Sequence, residues 1–441
     1  MENIELKWIV LALAVAMYAL VIAFQEKKVW FTTLTALITV SLGTLFPAQI
    51  FSGDTRSFAL LHALTALINW NVLLIYIGSM TIAALFLYSK VPAKIADVLV
   101  SHAPSTGIAI VLILAMTGII SIFVENVATV LVMAPIALSL CHKLKLNPTY
   151  FIVGLAVMSN LEGTATLVGD PPSMIFASYA GYSFNDFFVH NGTLSIFFII
   201  QAGLLAGCIF FYLLFSRNKE KATVETEPII SLVPTLLLLA LIFGLALISF
   251  IQIDCAFISG LFCFALGITG VLWYFFSQKK TKSETWRLIR ELDWETIAFL
   301  IGIFVVVGAI SETGLLADFA AFLARITGGS KAVGFILILA VSIAISGFVD
   351  NVPYIIVMLP VAGSLAENLA LQKELFMFAL LVGSCLGGNL TPFGASANVV
   401  SMGILKKEGC PIRFTGWLTI CGSFTVITTA CAAAVLWLLW A

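Results

Sequence analysis

Residues 122–129 read IFVENVAT and residues 347–354 read GFVDNVPY, and these two stretches set the architecture of the chain. Each places a carboxylate beside an amide, Glu125-Asn126 and Asp350-Asn351, within a long apolar region. An ionised acid in a membrane core is costly unless it has a partner. A turn between two half-helices offers one, because free N–H groups lie on one side of it and free carbonyls on the other. Regions 105–141 and 332–368 are therefore predicted to be helical hairpins.

The composition makes lipid the solvent of this chain. Of its 441 residues, 61% are apolar and 10% are charged, whereas a soluble domain carries about 25% charged residues. The net charge of −1 provides no basic surface for nucleic acid. The eight cysteines form no CxxC pair, and we expect them to be small core residues rather than disulfides or zinc ligands.

Ten further segments are predicted to cross the membrane. Eight are continuous and two, 150–185 and 376–405, are interrupted; the continuous ones are 6–24, 29–50, 71–88, 192–215, 229–250, 255–276, 295–312 and 416–440. The predicted fold is an all-α membrane protein with about ten transmembrane helices plus two re-entrant helical hairpins. Segments 89–104 and 313–331 are weakly amphipathic and are expected along the interface.

The cationic residues indicate how the hairpins run. If each hairpin enters and leaves on one side while ten segments cross, seventeen Lys and Arg fall on one side and five on the other. The five are Lys7, Arg56, Arg325, Lys331 and Lys373. A single crossing by 105–141 would remove most of this bias. The positive-inside rule therefore favours hairpins and places both termini outside the bacterial inner membrane.

The two halves repeat with a constant offset of 225 residues. Five landmarks keep it: Glu125-Asn126 with Asp350-Asn351, Pro135 with Pro360, Ser159 with Ser384, Thr166 with Thr391, and Gly169 with Gly394. Each half has an odd number of crossings, so the halves are predicted to be inverted repeats, 1–216 with a cytoplasmic-side hairpin and 229–441 with an external-side hairpin. Residues 217–228 are the cytoplasmic linker. Inverted repeats place substrate near the midplane, where discontinuous helices meet.

A second motif breaks one crossing helix in each half. Residues 159–173 read SNLEGTATLVGDPPS, and residues 384–398 read SCLGGNLTPFGASAN. Glycine and proline interrupt helical hydrogen bonding, and bare backbone at membrane depth is tolerated only where protein or a wet cavity covers it. A plain proline kink needs no such set of hydroxyls and amides. These hard oxygen groups suit Na⁺ or protons.

The predicted ion and substrate site gathers the polar residues of all four motifs. They are Glu125, Asn126, Thr129, Ser159, Asn160, Thr164, Thr166, Gly169, Asp170, Ser173, Asp350, Asn351, Asn389, Thr391, Gly394, Ser396 and Asn398. Na⁺ is placed at Asn126, Gly169, Asn351 and Gly394. No Lys or Arg lies in the motifs, and no organic cofactor is predicted, only Na⁺ or H⁺ as the coupling ion. Glu162 and Asp170 either face the cavity or cap a half-helix.

The four motifs resemble the ion transporter superfamily, and within it the branch of arsenite permeases, NhaD-type Na⁺/H⁺ antiporters, citrate-type transporters and the melanosomal P protein. The likeness covers nearly the whole chain. It implies a homodimer, a scaffold part and a moving transport part in each protomer, and elevator-like alternating access. In the related sodium–dicarboxylate symporters, Ser-Asn-Thr turns hold Na⁺ and substrate carboxylate. Here Glu125-Asn126-Val127 and Asp350-Asn351-Val352 keep the amide and replace the first hydroxyl with an acid.

The leading hypothesis is a Na⁺- or H⁺-coupled permease for a small anion, either a carboxylate or an oxyanion. An anion would need bound cations or protonated acids beside it, because the motifs carry no positive charge. The alternatives are a Na⁺/H⁺ antiporter and an arsenite-type efflux permease. No enzyme is predicted: an intramembrane protease using Asp170 and Asp350 is disfavoured because Leu167 spoils its Gly-x-Gly-Asp pattern. An ATP-driven pump would need a GxxxxGK[ST] loop, which the sequence lacks. A passive channel is a further alternative that the sequence does not exclude.

Overall fold

The computed structural model describes residues 2–24, 27–46, 50–51, 59–219, 221, 228–251 and 257–441. Helices account for most of this part of the chain, and its one sheet is a two-stranded ribbon, Val189–His190 paired with Thr193–Leu194. The predicted all-α membrane fold class is confirmed. Most of the predicted linker, together with Arg56 and Cys255, lies outside the described residues.

The helices of the first half are α1 Glu2–Ala23, α2 Lys28–Leu45, α3 Ala59–His62, α4 Trp70–Tyr88, α5 Val91–His102, α6 Thr106–Ser121, α7 Asn126–Leu144, α8 Thr149–Gly163, α9 Pro171–Ala180 and α10 Ile196–Phe215. Those of the second half are α11 Val233–Ile251, α12 Ile258–Phe276, α13 Lys282–Arg290, α14 Trp294–Glu312, α15 Leu315–Thr327, α16 Lys331–Ser346, α17 Asn351–Asn368, α18 Lys373–Gly387, α19 Ser396–Lys407, α20 Phe414–Trp417 and α21 Ser423–Trp440. Shifted by 225 residues, α6 coincides with α16, and α7 begins where α17 begins.

Both hairpin turns end in an acidic N-cap. α6 and α7 are joined by residues 122–125, and the Glu125 carboxylate accepts a hydrogen bond from the Ala128 N–H at 2.9 Å. α16 and α17 are joined by residues 347–350, and Asp350 Oδ1 accepts from the Val352 N–H at 3.1 Å. Side-chain oxygens at this position satisfy N–H groups that no helical carbonyl can reach.

Among the described residues, ten helices are long and apolar enough to cross a membrane, which matches the predicted number but not every predicted member. α7 qualifies by length, although the sequence assigns it to a hairpin. α8 does not qualify, because the break after Gly163 ends it at 15 residues. The re-entrant course of the hairpins, the inversion of the halves and the external termini stay predictions.

The helix predicted over residues 192–215 begins four residues later in the structure. Asn191 and Gly192 have φ angles of +50° and +76°, and this left-handed turn pairs Val189 with Leu194 in the ribbon. α10 therefore starts only at Ile196. The short ribbon was missed because two paired residues on each side give no periodic signal.

The helices pack as two groups. The first group consists of two sets of packed helices, α1, α2 and α14 on one hand and α4, α11 and α12 on the other. The hydrogen bond from the Tyr76 hydroxyl to Asp293 Oδ2 connects the two sets. The second group contains both hairpins, both broken helices (α8–α9 and α18–α19), α10 and α21. At its centre every residue of 151–177 and of 375–389 is buried. Protein therefore covers the first break completely, as its free backbone polar groups require at membrane depth. At the second break, Leu390 and Ala395 are only partly buried, and Phe393 and Ser396 are exposed.

Candidate functional site

The first hairpin contacts the first helix break directly. Asn126 Nδ2 donates a hydrogen bond to Asp170 Oδ2 at 3.1 Å, and both side chains are at least nine-tenths buried. Thr166 Oγ1 donates to the Ile122 carbonyl at 2.5 Å. The hydroxyl of the break therefore ties down a carbonyl freed at the end of α6.

The second half repeats this contact, and one residue joins the halves. Thr391 Oγ1 donates to the Gly347 carbonyl. Across the two breaks, Asn160 Nδ2 donates to Asn389 Oδ1 at 2.8 Å and to Asn398 Oδ1 at 2.9 Å. The four predicted motifs thus form one continuous polar cluster inside the second helix group.

A cage of backbone carbonyls surrounds Gly169. A Cβ added there would lie 2.5 Å from the Gly163 oxygen, 2.8 Å from that of Ile122 and 2.9 Å from that of Ser121. These oxygens belong to the C-terminal ends of α6 and α8, where the helix dipoles are negative. Beside them, Ser121 Oγ donates to Asn126 Oδ1 at 2.7 Å. Such convergent oxygens can coordinate a dehydrated cation.

An equivalent cage surrounds Gly394 in the second half. A Cβ on Gly394 would lie 2.5 Å from the Gly388 oxygen, 2.9 Å from that of Gly347 and 3.0 Å from that of Ser346. Ser346 Oγ donates to Asn351 Oδ1 at 2.5 Å, as its counterpart does in the first half. Both cages therefore combine two helix C-termini, a glycine without a side chain and a neighbouring asparagine amide.

The N-terminal ends of the same broken elements meet at a small central cavity of about 50 Å³. The first residues of α7, α9, α17 and α19 line it, and so do residues at the start of α14. The group comprises Asn126, Val127, Pro171, Pro172, Asn351, Val352, Ser396, Ala397 and Thr296. Helix N-termini attract anions because their N–H groups and dipoles point outward.

Carboxylates occupy four of these five N-cap positions. Glu125, Asp170, Asp293 and Asp350 line the cavity at the N-caps of α7, α9, α14 and α17. The fifth, α19, begins after Ala395 and has no side-chain cap. Asp170 makes no capping hydrogen bond either, but α9 begins with Pro171 and Pro172, which have no N–H group. The first N–H groups of α19 are therefore open to a ligand without competition from a capping side chain.

A larger chamber of about 380 Å³ shares part of its wall with the central cavity. Lys28, Asp293, Asp350 and Ser396 line both spaces, and Glu295 lines the chamber alone. Lys28 and Glu295 lie at the beginnings of α2 and α14, on the side that the positive-inside rule assigns to the cytoplasm. The chamber therefore adjoins the central cavity at the helix ends that face that predicted side.

The structure divides the predicted site residues into three sets. Seven line the central cavity: Glu125, Asn126, Asn160, Asp170, Asp350, Asn351 and Ser396. Seven brace or surround it through the contacts of the cluster: Thr166, Gly169, Ser173, Asn389, Thr391, Gly394 and Asn398. The last set is Thr129, Ser159 and Thr164. The hydroxyl of each donates a hydrogen bond to a backbone carbonyl of its own segment.

Several residues at this site were not predicted from the sequence. Ser121 and Ser346 hold the two asparagine amides, and the 225-residue offset between them was a usable signal. Lys28, Tyr76 and Asp293 line the cavity from the first helix group, remote in sequence from every motif. Tyr76 donates its hydroxyl to Asp293 Oδ2 at 3.3 Å. The cavity therefore contains a lysine that the motifs alone do not provide.

Neither sequence interpretation of Glu162 fits the structure. Its side chain is fully buried within α8, does not line the central cavity and caps no helix. Glu162 Oε2 accepts a hydrogen bond from Gln201 Nε2 of α10 at 2.7 Å. Gly118 of α6 makes room for it, because a Cβ on Gly118 would lie 2.9 Å from Glu162 Cγ. Glu162 thus connects three helices of the second group.

Solved structures with a similar fold are membrane transporters. The YdaH transporter of Alcanivorax borkumensis superposes with a TM-score of 0.61 at 16% identity, covering 92% of this chain and 97% of that one. MtrF of Neisseria gonorrhoeae, described as one of a class of antimetabolite efflux pumps, gives a TM-score of 0.55 at 13% identity over 92% and 94%. At these identities the likeness concerns the fold alone.

Sequence relatives of the chain include two that are named as uncharacterized transporters. An uncharacterized transporter of Mycobacterium tuberculosis is 32% identical over 98% of both chains. Another from Synechocystis is 26% identical over 79% of this chain and 82% of the relative. The P protein of Sus scrofa is 23% identical over 75% of this chain but only 48% of its own length. The sequence profile of the citrate transporter family matches residues 18–383 and 319–441. The chain therefore belongs to the citrate transporter family and is a membrane transporter rather than an enzyme.

Proposed function

We propose that this protein is a Na⁺- or H⁺-coupled secondary permease that carries a small carboxylate or oxyanion across the bacterial inner membrane. One observation supports this most strongly. Helix N-termini of both halves line a single cavity, while the C-termini of the paired helices form carbonyl cages beside it. The first arrangement favours an anion and the second a cation. Anion and coupling ion would therefore bind next to each other.

The two cages supply the proposed Na⁺ sites. Each offers three backbone oxygens around a glycine, and an asparagine amide lies beside each set. Asn126 and Asn351 belong to the cavity wall as well. A cation in either cage would therefore reach the anion through an amide that both of them contact. This shared contact is a physical basis for coupling, because either ion improves the site for the other.

Charge balance requires that an anion enter this cavity together with a compensating cation or proton. Four carboxylates and one lysine, Lys28, line the cavity. A substrate anion would be repelled unless Na⁺ occupies the cages or some of the acids are protonated. The N-terminus of α19, which no side chain caps, and Lys28 are the proposed seat of a substrate carboxylate, since both line the cavity next to Ser396.

We further propose an elevator mechanism in a homodimer, in line with the motif resemblance. The two helix groups meet at the cavity: Lys28, Tyr76 and Asp293 come from the first group, and both hairpins come from the second. Sliding the second group against the first would carry the cavity between the two sides. The first group would then form the fixed scaffold and the dimer interface.

A second candidate function is Na⁺/H⁺ antiport without an organic substrate. The excess of carboxylates over lysine in the cavity favours it, because acids can exchange a proton for Na⁺.

Transport assays on purified protein in proteoliposomes distinguish the permease from the antiporter. Uptake of radiolabelled citrate or succinate driven by an inward Na⁺ or proton gradient supports the permease. Sodium-driven proton flux without any carboxylate, together with no labelled uptake, would replace it with the antiporter. Counterflow of the labelled acid distinguishes a carrier from a passive channel.

A further inference from the structure

The amide nitrogen of Asn160 donates two hydrogen bonds, whereas its amide oxygen accepts none. The side chain is 1% exposed and lines the central cavity. Its Nδ2 donates to the Oδ1 atoms of Asn389 and Asn398, at 2.8 Å and 2.9 Å. Its Oδ1 is buried and accepts no hydrogen bond. A buried acceptor without a partner is costly, which points to a ligand that completes it.

The surrounding network fixes the orientation of this amide. Asn398 Nδ2 donates to the Gly388 and Thr391 carbonyls, both at 2.9 Å. Asn389 Nδ2 donates to the Val157 carbonyl at 3.4 Å. Both neighbouring amides therefore turn their oxygens toward Asn160, so its own nitrogen must face them. Rotating the Asn160 amide by a half-turn would bring three oxygens together and lose both bonds.

We propose that Asn160 is a specificity-determining residue whose Oδ1 accepts a hydrogen bond from a hydroxyl group of the transported acid. This rests on the proposed carboxylate transport and deepens it, since it selects hydroxycarboxylates over their deoxy analogues. A hydroxyl needs a single acceptor, which Asn160 provides. A cation needs several oxygens at once, and the carbonyl cages offer that elsewhere. The carboxylates of the ligand are acceptors and cannot use this oxygen themselves.

Two pairs of acids test the proposal: citrate against tricarballylate, and malate against succinate, each differing by one hydroxyl. Binding is measured by titration calorimetry on protein in nanodiscs at fixed Na⁺ and pH. For the wild type we expect each hydroxy acid to bind about tenfold more tightly than its analogue, the value of one buried hydrogen bond. In Asn160→Ala this ratio should fall to about one, mainly through weaker binding of the hydroxy acid.

The matched control removes the hydrogen bond between Asn160 and Asn389 by changing Asn389 instead of Asn160. Asn389→Ala breaks its bond with Asn160 but leaves Asn160 Oδ1 in place. Affinities of this variant can change, yet its hydroxyl ratio should stay near the wild-type value. Asn160→Cys, which introduces the residue found at position 385 of the other repeat, serves if the alanine variant does not fold. It should lose the ratio too.

The outcomes separate this inference from the function on which it rests. A wild-type protein that binds all four acids without preferring the hydroxylated ones would overturn the inference and leave the permease intact. A wild-type ratio retained in Asn160→Ala or Asn160→Cys would do the same. Equal weakening of hydroxy and deoxy acids, with a higher Na⁺ requirement, would make Asn160 a cation ligand instead. Binding of none of the four acids would overturn this inference and the carboxylate form of the proposed function, leaving an oxyanion as the proposed substrate.

Discussion

The carbonyl cage around Gly169 makes the sharpest prediction. Gly169→Ala would place a methyl group 2.5, 2.8 and 2.9 Å from three backbone oxygens. Ordinary contact begins at 3.4 Å, so the oxygens must retreat by between 0.5 and 0.9 Å. Gly169 is not among the residues with positive φ, so the effect of alanine is steric rather than conformational.

The magnitude follows from the crowding. Overpacking of this kind costs about 1–3 kcal/mol. If these oxygens hold Na⁺, moving them away from the ion should weaken sodium binding as well; a loss of about 1–3 kcal/mol in binding would correspond to about 5- to 140-fold. The C-terminal ends of α6 and α8 would also separate slightly, so the protein should melt at a lower temperature even without sodium.

Thermal melting in NaCl and in choline chloride at equal ionic strength measures the two effects separately. Wild-type protein should gain stability in sodium, because a ligand that binds only the folded state stabilises it. Gly169→Ala should lose the part of that gain that comes from this cage, about half of it if the Gly394 cage binds Na⁺ equally well. Gly403→Ala is the matched control. Gly403 lies in α19, and a Cβ added to it would meet no atom within 4 Å, so the sodium gain of this variant should remain. A Gly169→Ala protein that melts earlier but keeps the full sodium gain would show that no cation occupies this cage.

Three other predictions concern the cavity wall. Asn126→Ala and Asn351→Ala should each abolish uptake while preserving membrane insertion and the size-exclusion profile; wild-type uptake in either would remove that hairpin from the site. Glu125→Gln keeps an oxygen for the Ala128 N–H but no longer exchanges a proton, so uptake should lose part of its pH or sodium dependence; an unchanged profile would make the acid purely structural. Lys28→Gln should raise the KM for a carboxylate about tenfold, the value of one charge-assisted hydrogen bond. Lys27→Gln is the control, because Lys27 is exposed, and its KM should stay at the wild-type value. A Lys28→Gln protein with the wild-type KM would exclude Lys28 from substrate binding.

Local patterns in the sequence were enough to predict the helices, the hairpin turns and the duplication. Apolar runs of span length, an acid–amide pair in the middle of two of them, and a constant offset each act over short stretches of chain. Those stretches carry their own physical reason, because a half-helix must cap its free N–H groups wherever it begins. The end of α8 at Gly163 and the start of α10 at Ile196 depended on weaker signals, and the second was predicted wrongly.

Tertiary packing alone determined which groups meet. Lys28, Tyr76 and Asp293 enter the cavity from helices with no motif of their own, because a contact between helix groups leaves no trace in the spacing of either one. The same packing turned Glu162 toward Gln201 rather than the cavity, and aligned three asparagine amides so that one oxygen remained free. Sequence supplied the polar groups at membrane depth. Their partners, and hence the chemistry they can perform, depended on distances that only the folded chain defines.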